Sequence, residues 1–152
     1  MVIALRTQKR YLVNVECRIQ KVECKHMFIF EKEVKYGNPV VEKSFKFAVR
    51  IVKFYRVFYK KDYSILPLLK QLLRSGTSIG ANISEAQSAF TKKDFINKLG
   101  IALKESRETE FWLKLLKESD IISEKEYTSI YTDCDELSRL STTIIKSSKL
   151  KE

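Results

Sequence analysis

Glycine and proline are scarce, with 4 Gly and 2 Pro in 152 residues. A sandwich or barrel of many short strands needs more turns than so few chain-breakers supply, so long helices are predicted. Histidine occurs once, at His26, and Ser-His-Asp or Cys-His catalysis would have to recruit that single residue. The three cysteines, Cys17, Cys24 and Cys134, are an odd number without a CxxC pair. The C-x6-C-x-H cluster that Cys17, Cys24 and His26 make does not match zinc spacing, and a disulfide framework is equally unsupported. A phosphate-binding Walker loop, an H-E-x-x-H motif and the Glu-x-x-His pairs of a di-iron bundle are all missing. The reading is therefore no catalytic residue, no metal and no cofactor.

Long hydrophobic runs are missing too. The first apolar stretch, Met1 to Leu5, is interrupted by Arg6, Lys9 and Arg10 before it reaches the length of a signal-peptide core. Nothing later approaches a membrane span. With unpaired cysteines, a reducing cytoplasm is the expected compartment, and no membrane partner is expected.

What the chain does have is positive charge. Its net charge of +10 favours polyanionic partners, nucleic acid or an acidic protein face. The charge is uneven. Residues 41–90 hold nine basic against three acidic side chains, whereas residues 91–152 hold twelve of each. A basic first half beside a neutral second half reads as an electrostatic face, with a solvated lysine-rich helix as the plainer alternative.

Two regions are predicted. Residues 1–40 form an N-terminal extension, irregular or β-like: Tyr11, Val13, Val15, Cys17 and Ile19 alternate with mostly polar neighbours, Met27 to Phe30 read as a second strand, and Gly37-Asn38-Pro39 as a closing turn. Two isolated strands are marginal, so an unstructured leader is the alternative. Residues 41–149 read as an all-α, antiparallel, up-down-up-down four-helix bundle. Helix one spans about Glu42 to Tyr59. Helix two runs from about Ser64 to Ala89, with Pro67 in its first turn. The T-x-x-D box at Thr91 starts helix three, which ends near Ser119, and the Ser123–Glu126 box opens helix four.

Projected at about 100° per residue, helix one carries two apolar stripes. Phe45, Ala48, Val52, Tyr55 and Tyr59 form one, and Phe47, Ile51, Phe54 and Phe58 the other. Together they exceed the roughly 100° a core-facing helix needs, so a second copy of the chain is the expected cover, a wide core stripe the alternative. The remaining arc holds Lys43, Lys46, Arg50, Lys53, Arg56 and Lys60, which with Arg74 are the candidate nucleic-acid-binding residues. In helix two, Gly76 and Gly80 lie one turn apart and allow close backbone approach, while Gln71, Ser75, Ser78, Asn82 and Glu85 make a polar stripe. Such a stripe fixes helix register or, less simply, binds a ligand. Phe47, Phe54, Phe58, Gly76, Ser78, Gly80, Asn82 and Glu85 are the candidate helix-packing or oligomer-interface residues.

The stretch Leu72 to Ala86, with Ser78, Ile79, Asn82, Ile83 and Glu85 in an S-I-x-x-N-I-x-E pattern, resembles a known family. These are the four-helix bundle proteins first noticed as products of intervening sequences in bacterial 23S rRNA genes. Lys93-Asp94-Phe95 and Ile101 to Glu110 are similar to it as well, so the resemblance covers about residues 42–147 and leaves out the extension. Ala86 stands where many relatives have Gly. The resemblance implies a small bacterial protein that assembles as a ring, typically a homopentamer, without enzymatic activity. The family is in turn similar to the accessory variability proteins of diversity-generating retroelements, basic pentameric barrels thought to bind nucleic acid and a reverse transcriptase.

Two functions are expected from these features. One is an oligomer that holds RNA or DNA backbone on the basic face of helix one with low sequence specificity. The other is an oligomeric scaffold or accessory subunit for another protein, such as a reverse transcriptase. Salt separates them, because phosphate contacts weaken steeply with ionic strength and apolar contacts do not.

Overall fold

The computed structural model describes residues 38–150. They fold into four α-helices: α1 (Pro39–Lys61), α2 (Leu66–Ala86), α3 (Lys92–Glu118) and α4 (Glu124–Lys149). The strands predicted before Asn38, the cysteines Cys17 and Cys24, and His26 lie outside the described residues.

The helix starts follow the local chemistry. Asn38 accepts the amide of Val40 at 3.2 Å and Pro39 sits at the first helical position, so α1 begins three residues before the predicted Glu42. Asn38 and Pro39, read from the sequence as part of a turn, are thus a helix cap: asparagine satisfies an orphan amide, and proline has none to satisfy. Asp62 takes the amide of Ser64 at 2.7 Å and holds the chain in a turn, which delays α2 from Ser64 to Leu66. Hydrogen bonding from the Ser64 side chain, and then from its amide, holds the Asp62 carboxyl below its ordinary value. The α2 helix stops at Ala86, short of the predicted Ala89, and residues 87–89 continue as single turns. Thr91 caps α3 through the Asp94 amide, and Ser123 and Glu126 form a complete capping box on α4. At the end of α3, Asp120 takes a left-handed φ of 55°, and the amides of Asp120 and Ile121 bond back to Lys117 and Leu116. This double bond back into the last turn satisfies carbonyls the helix leaves open.

Short loops force neighbouring helices antiparallel. α1 packs on α2, α2 on α3 and α3 on α4, and α4 closes the ring more lightly against α1. One core runs through all four, built from Phe47 and Ile51 of α1, Leu72, Ile79 and Ile83 of α2, Leu99 and Leu113 of α3, and Leu137 of α4. The all-α bundle expected from the sequence is the observed architecture. No helix among the described residues is long and apolar enough to cross a membrane.

Candidate nucleic-acid interface

The faces of α1 divide the candidate residues. Phe47, Ile51, Phe54 and Phe58 are buried in the bundle's own core, with Phe54 and Phe58 stacked at 4.4 Å. The second predicted stripe points outward beside α2: Phe45 is 41 % exposed, Val52 42 % and Tyr59 37 %. The two stripes of the sequence reading are therefore not equivalent. One is core, and the other is its margin, with Ala48 and Tyr55 half-buried and Phe45, Val52 and Tyr59 exposed.

The cations of α1 also separate into two groups. Lys43 pairs with Glu136, and the Arg50 guanidinium engages Asp133 together with the Ser129 carbonyl at 3.2 Å and hydroxyl at 2.8 Å. Both stitch α1 to α4 along the lightest seam of the bundle. Lys46 pairs with Glu42 one turn earlier on its own helix. Arg74, on α2, reaches Glu108 of α3. Lys53, Arg56 and Lys60 remain on the outer surface, and neither Lys53 nor Lys60 has an ion-pair partner among the described residues. The cations without an ion-pair partner among the described residues, Lys53 and Lys60, thus sit on the C-terminal half of α1. From Val52 to Lys61 that helix carries four cations and no acid.

The small residues of α2 face α1. A Cβ on Gly76 would lie 2.9 Å from Ile51 Cγ1, and one on Gly80 would lie 3.1 Å from the Ser44 carbonyl oxygen. Along the outside of this contact runs a groove of about 250 Å³, lined by Val41, Ser44, Phe45, Ala48, Thr77, Gly80, Ala81 and Ser84. The polar stripe of α2 turns instead toward α3. The Ser75 and Thr109 hydroxyls meet at 3.1 Å, fully buried, and Glu85 pairs with Lys98 at 2.6 Å. That hydrogen bond and the Glu85 charge raise the Lys98 ammonium above its ordinary value. Asn82 donates to the Ser78 carbonyl and lies 3.3 Å from its hydroxyl, so these two half-buried residues bond within α2.

Sequence reasoning missed a polar cluster between α3 and α4. The Ser138 hydroxyl lies 2.7 Å from Ser106 Oγ and 3.1 Å from Glu110 Oε1. Serine and threonine at helical spacing, interleaved with the Leu positions of α3 and α4, was the available signal. Cys134 is buried beside this cluster, and burial, with Glu110 second, pushes its thiol up to about 12. A thiol so raised is a packing group, not a nucleophile. Among the described residues no three His, Cys, Asp or Glu side chains are grouped as a metal site would need.

Residues 23–143 match the 23S rRNA-intervening sequence protein family. The chain belongs to this family. The match begins well before the predicted limit near residue 42, so part of the N-terminal extension is included in it. A solved relative, a protein of unknown function from the S23 ribosomal protein family of Bacteroides thetaiotaomicron, is 51% identical in sequence. The alignment covers 70% of this chain and 98% of that one, at a TM-score of 0.67. Family membership thus brings the bundle with it, and the relative's function is itself unknown. No curated protein matches the chain.

Proposed function

We propose that this family member is a non-enzymatic, homo-oligomeric protein that binds RNA or DNA backbone with low sequence specificity through the outer face of α1. The observation that carries the reading is the uncompensated charge of Lys53 and Lys60, with exposed Arg56 between them on the same face. Of the acids of α4, Asp133 and Glu136 are taken by Arg50 and Lys43, and Glu126 lies within electrostatic reach of Lys61, not of Lys53 or Lys60 in any ion pair among the described residues. Cations one helical turn apart lie about 5–6 Å from each other, near the spacing of phosphates along a strand. Arg50 and Lys43 are set aside as primary phosphate ligands, because each already faces a carboxylate of α4.

Replacing Lys53, Arg56 and Lys60 together with Gln is expected to flatten the salt dependence of binding by roughly 0.7–0.9 in log–log slope for each phosphate no longer neutralised. Circular dichroism should be unchanged, since none of the three is buried. An unchanged slope in the folded variant would place the site elsewhere.

The oligomeric part of the reading is supported by the apolar surface of α1 from Phe45 to Val52, short of Tyr59, where exposed Val52 lies one turn on from Ala48 of the groove. The homopentamer implied by the resemblance is the assembly proposed. Sedimentation equilibrium at micromolar concentration is expected to give a discrete mass several-fold above 17.8 kDa. A clean monomer would contradict it. A ring also multiplies a weak site into avidity when one strand reaches several subunits.

A protein partner, such as a reverse transcriptase, is the second reading. It is favoured by Phe90, 99 % exposed in the α2–α3 loop, and by Phe111 on α3, 58 % exposed beside Trp112. Exposed aromatics of this kind serve as anchors in protein interfaces. Such binding would change little with salt.

A further inference from the structure

The C-terminal end of α1 carries a ladder of tyrosines. The Tyr55 and Tyr59 rings stack at 5.8 Å with their planes 24° apart, and Tyr63 meets Tyr59 edge-on at 5.1 Å. Exposure rises along the ladder, from a half-buried Tyr55 through Tyr59 to Tyr63 at 66 %. Periodicity places Tyr55 and Tyr59 in a packing stripe and singles out no role for Tyr63. Tyr55 still packs against the core beside Phe54 and Phe58, and from there the ladder leads out through Tyr59 to Tyr63 in solvent.

Each of the first two rungs is followed by a cation. Arg56 follows Tyr55, and Lys60 follows Tyr59, so a row of positive charge runs beside the row of rings with the same four-residue step. That step rises about 6 Å along the helix. Lys61 is held over the Phe58 ring at 4.6 Å, which keeps a further positive charge at this end. The one acid in the stretch, Asp62, accepts the Ser64 amide and keeps its negative charge, so the cations outnumber it but do not stand alone.

Cations alone do not distinguish a duplex from a single strand, because both present phosphates. An exposed ring beside them does. The flat faces of duplex bases are covered by their neighbours, whereas a single strand can turn an unstacked base onto an aromatic side chain. Resting on the nucleic-acid reading of α1, we propose that Tyr59 and Tyr63 form a stacking platform for the bases of a single strand, with Lys60 holding an adjoining phosphate. The preferred ligand class is then single-stranded RNA or DNA, with little dependence on base identity, since every base has a stacking face.

The test is a fluorescence anisotropy titration of the full chain with a short labelled oligothymidylate and with a duplex of equal length. Wild type, Tyr63→Ala, Tyr59→Ala/Tyr63→Ala and Tyr63→Phe are compared. The alanine variants should bind the single strand about 5-fold or more weakly, with the slope against salt preserved because every cation is still in place. Duplex affinity should not move, and Tyr63→Phe, which keeps the ring, should bind as wild type does. Circular dichroism and sedimentation report folding and assembly in parallel.

Equal weakening for strand and duplex, or none for either, would overturn the platform while leaving backbone binding in place. A change in oligomeric mass on Tyr63→Ala would overturn it too, by making the ladder a subunit contact. If wild type binds neither probe even at low salt, the nucleic-acid reading itself fails and the platform falls with it.

Discussion

Gly80→Leu is expected to destabilise the protein by about 1–3 kcal/mol, at the upper end of that range for an overpacked contact. The reason is what the new side chain meets. A Cβ at this position already lies 3.1 Å from the Ser44 carbonyl oxygen and 3.5 Å from its carbon, and these are backbone atoms of α1. Backbone cannot turn aside as a flexible side chain can, so α1 and α2 must separate, and the apolar packing along the pair loosens with them. Gly100 is the control. Nothing lies within 4 Å of a Cβ built there. Gly100→Ala should therefore show only the helix-propensity gain of up to about 1 kcal/mol. Urea denaturation midpoints read both. An unchanged midpoint for Gly80→Leu would mean that α1 and α2 are not closely packed at this position.

The second large effect lies one turn away. Ile51 has no exposed surface and seats its branched carbons directly over Gly76. Ile51→Ala should cost about 2–5 kcal/mol, from reduced burial and the cavity left behind. The pair is also coupled. Gly76→Ala alone should destabilise, because its Cβ would fall 2.9 Å from Cγ1 and 3.0 Å from Cγ2 of a β-branched side chain. Such a side chain has little rotamer freedom with which to yield. In the Ile51→Ala background the obstruction is gone, and the same Gly76→Ala change should become neutral or stabilising. A double-mutant cycle measures this reversal directly. Additive costs would show that Ile51 and Gly76 do not touch.

The bundle was legible in the sequence because helix chemistry is local. Thr91 and Ser123 with their partners three residues on placed two helix starts, and the three–four spacing of apolar residues placed the core. The errors at the helix ends have equally local causes. Asn38 and Pro39 read as a turn because the same residues serve turns and helix caps, and only the course of the following chain decides between them. The α1 face was half legible. Periodicity found both apolar stripes but could not tell which was core, since that depends on where α2 and α4 fall around the helix. The same limit hid the difference between Arg50 and Lys53. They share one basic arc in projection, yet Asp133, more than eighty residues away, compensates the first and leaves the second on the surface. Pairing across helices is tertiary information, and no spacing rule within α1 contains it.

One measurement tests the central claim most directly: the affinity of the intact wild-type protein for a labelled single strand, followed by anisotropy from about 50 to about 200 mM salt. Exposed Lys53 and Lys60 on the outer face of α1, without an ion-pair partner among the described residues, predict tight binding at the low end and a linear fall of log affinity with log salt, with a slope of several phosphates per strand. Folded protein that shows no binding at the low end, or binding that ignores salt across the range, would contradict the account.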